Sequence, residues 1–253
     1  MRFAALGSGS RGNAWLVECG DTALMIDCGF GPREATRRLG RLGLAPEDVT
    51  ALLITHEHTD HVGGAAACAR RFGWRLYLTA GTRAGAPDDA ELSAATTIAG
   101  QGEFAIDGLR VRPFTVPHDA SEPVQFVIDD GARRLAILTD AGHVTAHMVA
   151  MLDACDALVL ECNHDLDMLA RGGYPPALKR RIGGAWGHLD NREAASLLAR
   201  IDHGRLRHVI AAHLSAENNH PDLARGALAE VLGCTPSWVG VATQDCGLAW
   251  REV

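Results

Sequence analysis

Three histidines and an aspartate stand within six consecutive residues in the first third of the chain, in the run His56-Glu57-His58-Thr59-Asp60-His61. Imidazole nitrogens and carboxylate oxygens are donors that suit zinc, manganese or iron. An apolar stretch, residues 51–54, precedes the run and is typical of a buried strand. Side chains just past a strand end can converge, whereas those within a strand alternate between its faces. The run therefore predicts a metal site rather than a polar surface loop.

One such segment cannot fill the coordination spheres of two metal ions, so further ligands must come from other parts of the chain. Three apolar stretches end in the same way, on a histidine or an aspartate, and these residues are His118, Asp140 and His213. Each alone fits a solvated loop, but their recurrence beside apolar runs indicates ligands, because such groups are costly near a core unless satisfied. Asp27 also ends an apolar stretch, and we expect it to orient a ligand imidazole.

The elements that must position these residues are short. The apolar pattern predicts strands at 14–17, 23–26, 51–54, 104–106, 109–115, 124–128, 134–139, 157–161, 207–212 and 238–241. It predicts helices at 31–43, 62–72, 146–153, 191–200 and 221–232. Asp-Gly pairs between apolar runs predict hairpins in the middle third. The order favours mixed sheets covered by helices, as one domain over residues 1–253.

The composition sets limits on partners and location. The formal net charge is −7, which excludes a surface that attracts nucleic acid everywhere but leaves room for a local basic patch. No stretch approaches the roughly 20 apolar residues of a membrane-spanning helix, and residues 1–9 lack the features of a signal peptide. We therefore expect a cytoplasmic protein with no membrane partner. The seven cysteines form no C-x-x-C pair, so neither a disulfide framework nor a cysteine zinc site is indicated.

The ordered set of Asp27, the H-x-H-x-D-H run, His118, Asp140 and His213 resembles the metallo-β-lactamase fold superfamily, over nearly the whole chain. The resemblance implies an α/β fold, a four-layer αβ/βα sandwich of two mixed β-sheets with two divalent metal ions at one edge. The ions would be zinc or manganese, with iron as a further option. Histidine at both early positions of the run resembles the hydrolytic members, because the flavodiiron oxidoreductases usually carry glutamate at the second.

The same resemblance implies a ligand set. The first metal ion would take His56, His58 and His118, and the second would take Asp60, His61 and His213. Asp140 would bridge the two ions, and Asp60 would count among the catalytic residues as well as the ligands.

Four segments, residues 7–13, 26–30, 160–165 and 213–219, are similar to the YycJ/WalJ group of this superfamily, which is linked to DNA exonuclease activity and mismatch repair. One departure is Asp190, which stands where that group usually carries a serine. Facing the site, its carboxylate would repel a phosphate. At the start of the helix predicted from Asn191, it would cap as well as serine does.

Glu161 and His188 resemble the pair that RNase Z-like phosphodiesterases use outside the metal ligands. The resemblance implies that His188, oriented by Glu161, protonates the leaving oxygen. A histidine that merely caps a helix entry is the alternative.

Several polar residues are candidates for phosphate contacts. Ser215, Asn218 and Asn219 follow a predicted ligand, and Ser8, Ser10 and Asn13 lie in a glycine-rich stretch that fits either an anion nest or a tight turn between strands. His164 fits the cleft, a supporting role or the surface equally well. Lys179-Arg180-Arg181 is the one compact basic run, and it predicts either a contact with a nucleic-acid backbone or a solvated helix face.

Two metal ions about 3.5–4 Å apart can share a hydroxide and stabilise the oxygens of a phosphoryl displacement. The sequence thus predicts a metal-dependent hydrolase, a phosphodiesterase or 5′-to-3′ exonuclease-like enzyme acting on DNA. Two alternatives stay open: a hydrolase of a small ester, thioester or cyclic phosphodiester, and a non-catalytic metal-binding partner in a repair complex. The short spacing between Asp140 and His213 leaves no room for a large inserted domain, only for a small lid at about 163–187.

Overall fold

Two seven-stranded β-sheets form the centre of the structure, a computed structural model that describes residues 1–253. The strands of the first sheet are β1 (Arg2–Gly7), β2 (Ala14–Cys19), β3 (Thr22–Ile26), β4 (Ala51–Leu53), β5 (Arg75–Thr79), β6 (Thr96–Ile98) and β14 (Leu248–Glu252). Those of the second are β7 (Phe104–Ile106), β8 (Leu109–Thr115), β9 (Val124–Asp129), β10 (Arg134–Leu138), β11 (Ala157–Glu161), β12 (His208–Ala212) and β13 (Gly240–Val241).

Both sheets are mixed, and each has an antiparallel half and a parallel half. The first has the order β14-β1-β2-β3-β4-β5-β6, antiparallel as far as β3 and parallel from β3 onward. The second has the order β13-β12-β11-β10-β9-β8-β7, antiparallel from β7 to β10 and parallel from β10 to β13. Because parallel strands share their direction, the carboxyl ends of β3 and β4, and those of β10, β11 and β12, each gather at one edge.

Helices cover the outer faces of the sheets. The helices are α1 (Pro32–Arg41), α2 (Thr59–Val62), α3 (Ala65–Phe72), α4 (Ala80–Gly85), α5 (Ala90–Ala94), α6 (Ala146–Leu152), α7 (Leu166–Arg171), α8 (Pro176–Ile182), α9 (Asn191–Leu198) and α10 (Pro221–Leu232). Apolar residues of α1 and α3 pack with those of the first sheet, and apolar residues of α6, α9 and α10 pack with those of the second. No helix is both long and apolar enough to cross a membrane.

Apolar side chains fill three layers, one between the sheets and one behind each. In β2, Trp15 and Val17 point into the middle layer with Phe126 of the second sheet, whereas Leu16 points into the outer layer with Leu39 of α1. Strands buried on both faces carry continuous apolar runs, which is why the sequence shows runs rather than alternation. Three apolar layers between sheets and helices confirm the predicted four-layer αβ/βα sandwich.

The predicted elements match the observed ones to within a few residues at most ends, with two corrections. The helix expected at 62–72 is interrupted, because the amide of Gly64 donates to the carbonyl of Cys28 and separates α2 from α3. The strand expected at 238–241 begins with a 3₁₀ turn, Pro236–Trp238, and is reduced to β13. Strands β1, β5, β6 and β14 were not predicted.

Candidate metal centre

Three of the predicted site residues leave their strands in a left-handed backbone conformation. Asp27 follows β3 at φ 61°, Asp140 follows β10 at φ 53° and His213 follows β12 at φ 53°. This conformation costs of order 1–2 kcal/mol for a residue with a Cβ, and aspartate and histidine are among the types found there most often. Each chain segment turns sharply at these points, so that Asp140 and His213 line one cleft and Asp27 lies behind His61.

The first cluster of the site is formed by His56, His58 and His118, whose candidate donor atoms all lie within 4.8 Å of one another. His118 is fixed by a hydrogen bond from Nδ1 to the carbonyl of Gly187 at 2.9 Å, so its Nε2 faces the cluster, 3.2 Å from His58 Nδ1. Thr55 Oγ1 contacts His56 Nδ1 at 2.9 Å. The opposite nitrogen of His56 is buried without a hydrogen-bond partner.

The second cluster is formed by Asp60, His61 and His213, again within 4.8 Å. Asp27 Oδ2 accepts a hydrogen bond from His61 Nδ1 at 2.8 Å, and Glu161 Oε1 accepts one from His213 Nδ1 at 3.0 Å. These bonds turn both Nε2 atoms inward.

Asp140 lies between the two clusters. Its Oδ2 is 3.1 Å from His61 Nε2, and its Oδ1 is 3.9 Å from His118 Nε2.

The unsatisfied groups of the site fit divalent metal ions. His56 Nε2, Asp140 Oδ2 and His213 Nε2 are buried with no hydrogen-bond partner, and such orphaned atoms are rare in folded proteins. Burial lowers the pKa of His56 and of His118, which keeps both imidazoles neutral and able to act as ligands. Burial acts in the same direction on His213, but Asp140, Asp60 and Glu161 outweigh it and raise its pKa to about 10. The three carboxylates thus favour a positive charge at His213, either a proton or a divalent metal ion.

Glu161 joins the second cluster to His188. Its Oε1 accepts hydrogen bonds from His213 and from His188 Nδ1, the latter at 2.9 Å. Its Oε2 accepts from the amides of Ala141 and Leu189, each at 3.0 Å. Burial would raise the pKa of Glu161, but His188 and His213 bring it down to about 2. The carboxylate is therefore ionised. Because it binds His188 through Nδ1, the Nε2 atom of His188 stays free to face the cleft.

A cleft of about 390 Å³ opens over both clusters. Ser10 and Ser215 line it together with His58, Asp60, Asp140, His188 and His213. Of the basic run, Arg181 lines the cleft, whereas Arg180 is exposed and Lys179 Nζ donates to the carbonyl of Ala170.

Other phosphate-contact candidates lie off the cleft and support its walls. Ser8 Oγ accepts from the amide of His213 at 2.8 Å, and Asn13 Nδ2 lies 3.2 Å from Asp60 Oδ2. Both are buried in the turn between β1 and β2, so the glycine-rich stretch is a tight turn between strands. Its Gly9 amide is already bonded to Asn13 Oδ1.

Three further candidates are also buried away from the cleft. The amide of Asn218 donates to Ser215 Oγ at 3.1 Å, and Asn219 Nδ2 donates to the carbonyl of Cys162 at 2.7 Å. His164 is buried, and neither of its ring nitrogens has a hydrogen-bond partner. Asp190 is the N-cap of α9, where its Oδ1 accepts from the amides of residues 192 and 193.

Sequence reasoning missed Asp119. The His58 Nε2 atom lies 3.2 Å from the Asp119 carbonyl, and Arg181 Nε donates to Asp119 Oδ2 at 2.6 Å. Its position directly after His118 was the available signal. Nothing local in the sequence shows that it joins a histidine of the first cluster to a residue of the lid.

The fold and the site define a metallohydrolase, and the chain belongs to the metallo-β-lactamase superfamily, whose family model matches residues 7–206. It is 33% identical over 240 residues to the exodeoxyribonuclease YycJ of Bacillus anthracis, covering 92% of this chain and 89% of the relative. It is 33% identical over 248 residues to the exodeoxyribonuclease WalJ of Streptococcus pneumoniae, covering 95% and 91%.

A solved structure extends the likeness in fold. Zn²⁺-bound PqqB from Methylobacterium extorquens superimposes with a TM-score of 0.74 at 21% identity, covering 100% of both chains. The family model and the two exodeoxyribonuclease relatives confirm the prediction of a metal-dependent hydrolase and the resemblance to the YycJ/WalJ group.

Proposed function

We propose that this chain is a single-domain, two-metal phosphodiesterase that removes nucleotides from DNA ends in the cytoplasm, in the 5′-to-3′ direction. His56, His58 and His118 would hold one ion, and Asp60, His61 and His213 the other, with Asp140 shared between them. The three imidazoles of the first cluster favour zinc, and the carboxylates of Asp60 and Asp140 would also suit manganese. Two divalent ions bound in this way activate a water nucleophile and stabilise charge on the phosphate oxygens.

The pair formed by Glu161 and His188 is the observation that carries this proposal. Cleavage of DNA expels a sugar oxygen, which needs a proton as it leaves. His188 is held through Nδ1 by an ionised carboxylate and lines the cleft beside His213 and Asp140, so its Nε2 can deliver that proton. A thiolate leaving group, as in thioester hydrolysis, would not require such an acid. Two relatives that share a third of their residues with this chain and are named exodeoxyribonucleases support the same substrate class.

The test combines metal analysis of the purified protein with nuclease assays on DNA labelled at the 5′ or the 3′ end, with manganese or zinc added. We expect about two metal ions per chain and stepwise release of nucleotides. Asp60→Ala should abolish hydrolysis, and His188→Ala should slow it with the metal content unchanged. His147→Ala, on the exposed face of α6, is the matched control.

Three results would contradict the proposal. Full activity in Asp60→Ala would exclude the assigned centre. Turnover of thioesters or cyclic phosphodiesters without DNA cleavage would support a small-molecule hydrolase. Stoichiometric metal with no hydrolysis across a broad panel of substrates would support a non-catalytic binding protein.

A further inference from the structure

The apolar lining of the cleft comes from one segment of the chain. Three hydrophobic residues line the cleft, Tyr174, Leu178 and Ile182, and all lie in or just before α8. The opposite wall is made of the metal-site side chains together with Ser10 and Ser215. The cleft therefore has a polar wall, formed by the two clusters of candidate ligands, and an apolar wall formed by Tyr174, Leu178 and Ile182.

Helix geometry explains which lid residues face the cleft. Leu178 and Ile182 are four positions apart and Arg181 is three from Leu178, so the three share one face of α8. Lys179 is turned toward α7 by its bond to the Ala170 carbonyl. No residue of α8 is fully buried, and Leu178 and Ile182 are half-buried, so part of this apolar face stays open to the cleft. An apolar surface that stays partly open beside the ligand clusters is suited to a ligand.

Arg181 is the one arginine or lysine side chain that lines the cleft. Its Nε donates to Asp119 Oδ2 at 2.6 Å, which fixes the guanidinium above the His58 side of the site. This bond uses one donor of the guanidinium fork and leaves the terminal nitrogens for another acceptor. Arginine binds phosphate through two parallel hydrogen bonds when its donors are oriented in this way.

We propose that this face of α8, together with Tyr174, is a binding site for one terminal nucleotide of the substrate strand. Arg181 would bind a phosphate, and Tyr174, Leu178 and Ile182 would contact the nucleoside. The proposal rests on the proposed function for the identity of the strand. A cleft of about 390 Å³ lies at the small end of the range for ligand pockets, about 300–1,000 Å³. Such a site holds a nucleotide rather than a duplex, and this favours removal of end units over internal cleavage.

The lid is also connected to the proposed acid. The carbonyl of Ile182 accepts a hydrogen bond from the amide of His188 at 2.9 Å. The end of α8 therefore carries both a nucleoside contact and the backbone support of His188. A nucleotide bound against α8 would therefore contact the same segment that holds His188.

Direct binding tests this site without requiring turnover. Thymidine 5′-monophosphate is titrated calorimetrically into the metal-loaded protein, into Arg181→Gln and into Arg180→Gln, which makes the same charge change one residue away. We expect Kd to rise about tenfold or more in Arg181→Gln, since hydrogen bonds to charged groups contribute about 1.5–3 kcal/mol. Arg180→Gln should stay within about twofold of the parent, given that a change of 0.4 kcal/mol is about twofold. Equal affinities in the two variants would overturn the phosphate contact.

A second pair of variants tests the nucleoside contact. Leu178→Ala should weaken binding of thymidine 5′-monophosphate but not of inorganic phosphate. Leu166→Ala, an exposed leucine of α7 outside the cleft, is its control and should change neither. Equal weakening of both ligands in Leu178→Ala, or of neither, would overturn the apolar contact.

Kinetics separate this proposal from the proposed function. The 5′-phosphorylated dinucleotide pTpT should be hydrolysed with a lower KM than the methyl ester of thymidine 5′-monophosphate, which lacks the terminal nucleotide, and Arg181→Gln and Leu178→Ala should reduce that preference. If the parent protein cleaves neither compound nor DNA, the proposed function fails, and the binding titrations still decide the nucleotide site. If it cleaves them and Arg181→Gln behaves like Arg180→Gln, the nucleotide site alone fails.

Discussion

The two halves of the metal centre are built differently. The first sheet contributes its donors from a single contiguous run after β4, supported by one buried carboxylate, Asp27. The second sheet contributes single residues from the ends of three separate elements, supported by another buried carboxylate, Glu161. Each carboxylate lies under one inward-facing histidine, His61 in one half and His213 in the other.

The two carboxylates differ in what else they bind. Besides His61, Asp27 accepts hydrogen bonds from the amide and the hydroxyl of Thr55. It therefore supports the ligand cluster and contacts no residue of the cleft outside it. Glu161 also holds His188, a residue that faces the cleft and that we propose as the acid. In the proposed function, the first half would assemble the metal site, whereas the second half would combine assembly with proton transfer. Four predictions test this division.

The largest effect is expected from Glu161→Gln. The NH2 group of glutamine would face other donors in either orientation. It would meet the Nδ1–H groups of His188 and His213, or the backbone amides of Ala141 and Leu189 that now donate to Oε2. Loss of a positioned general acid typically costs about 10²–10⁴ in rate. We therefore expect kcat on DNA to fall by that order even at saturating metal, with a smaller loss on a p-nitrophenyl ester, whose leaving group needs no proton. Full recovery of DNA cleavage by added metal would contradict the double role.

Asp27→Asn should weaken the site by a different route. The amide has one acceptor oxygen where the carboxylate has two, so an NH2 group would face either His61 Nδ1–H or the Thr55 amide. Partners of this kind are typically worth 10–100-fold in metal affinity. We expect metal affinity to fall by about that factor and hydrolysis to recover when metal is added in excess. Competition with a metal-indicator dye measures the affinity. A rate deficit that persists at saturating metal would show that Asp27 acts beyond its ligand.

Two glycines, one in each half of the site, test the same contrast by a backbone clash instead of a changed carboxylate. A Cβ at Gly29 would collide with the carbonyl of Asp60, and one at Gly187 would collide with that of Ile182. Overpacking of this kind costs about 1–3 kcal/mol, so both Gly29→Ala and Gly187→Ala should lower the free energy of unfolding. We expect Gly29→Ala to lose metal and Gly187→Ala to keep metal but lose rate, as shown by metal analysis and kcat.

Gly226→Ala is the control for this pair. It lies inside α10 with open space around its Cα, and it should be neutral or slightly stabilising. The same phenotype in both site variants would remove the contrast between the halves.

The smallest effect is expected at Asp190. Because this carboxylate caps α9, Asp190→Ala should cost about 1 kcal/mol and Asp190→Ser only a few tenths. Thermal unfolding measures the difference, at roughly 2–4 °C per kcal/mol for a chain of this size. DNA cleavage should be unchanged in Asp190→Ser. A large rise in cleavage would indicate that the Asp190 carboxylate faces the substrate phosphate and repels it.

The contrast between the halves also explains what the sequence could reveal. The histidine run is contiguous, so its chemistry is visible in six letters, and the strands before its partner ligands are apolar enough to predict. Ser8 and Asn13 were candidates for either a phosphate contact or a tight turn between strands, and they bond to His213 and Asp60, residues far away in the chain. Such pairings depend on how the two sheets meet. The link between Asp119 and Arg181 was invisible for the same reason.

The left-handed turns at Asp27, Asp140 and His213 have a consequence for directed evolution. A screen that rewards heat resistance alone should drift toward glycine or asparagine at these three positions, since both relax such a backbone with little penalty. Each of these exchanges would remove a charged or imidazole group from the centre. A library selected for thermal stability would therefore lose its activity at these turns, while the core and the surface tolerate improvement.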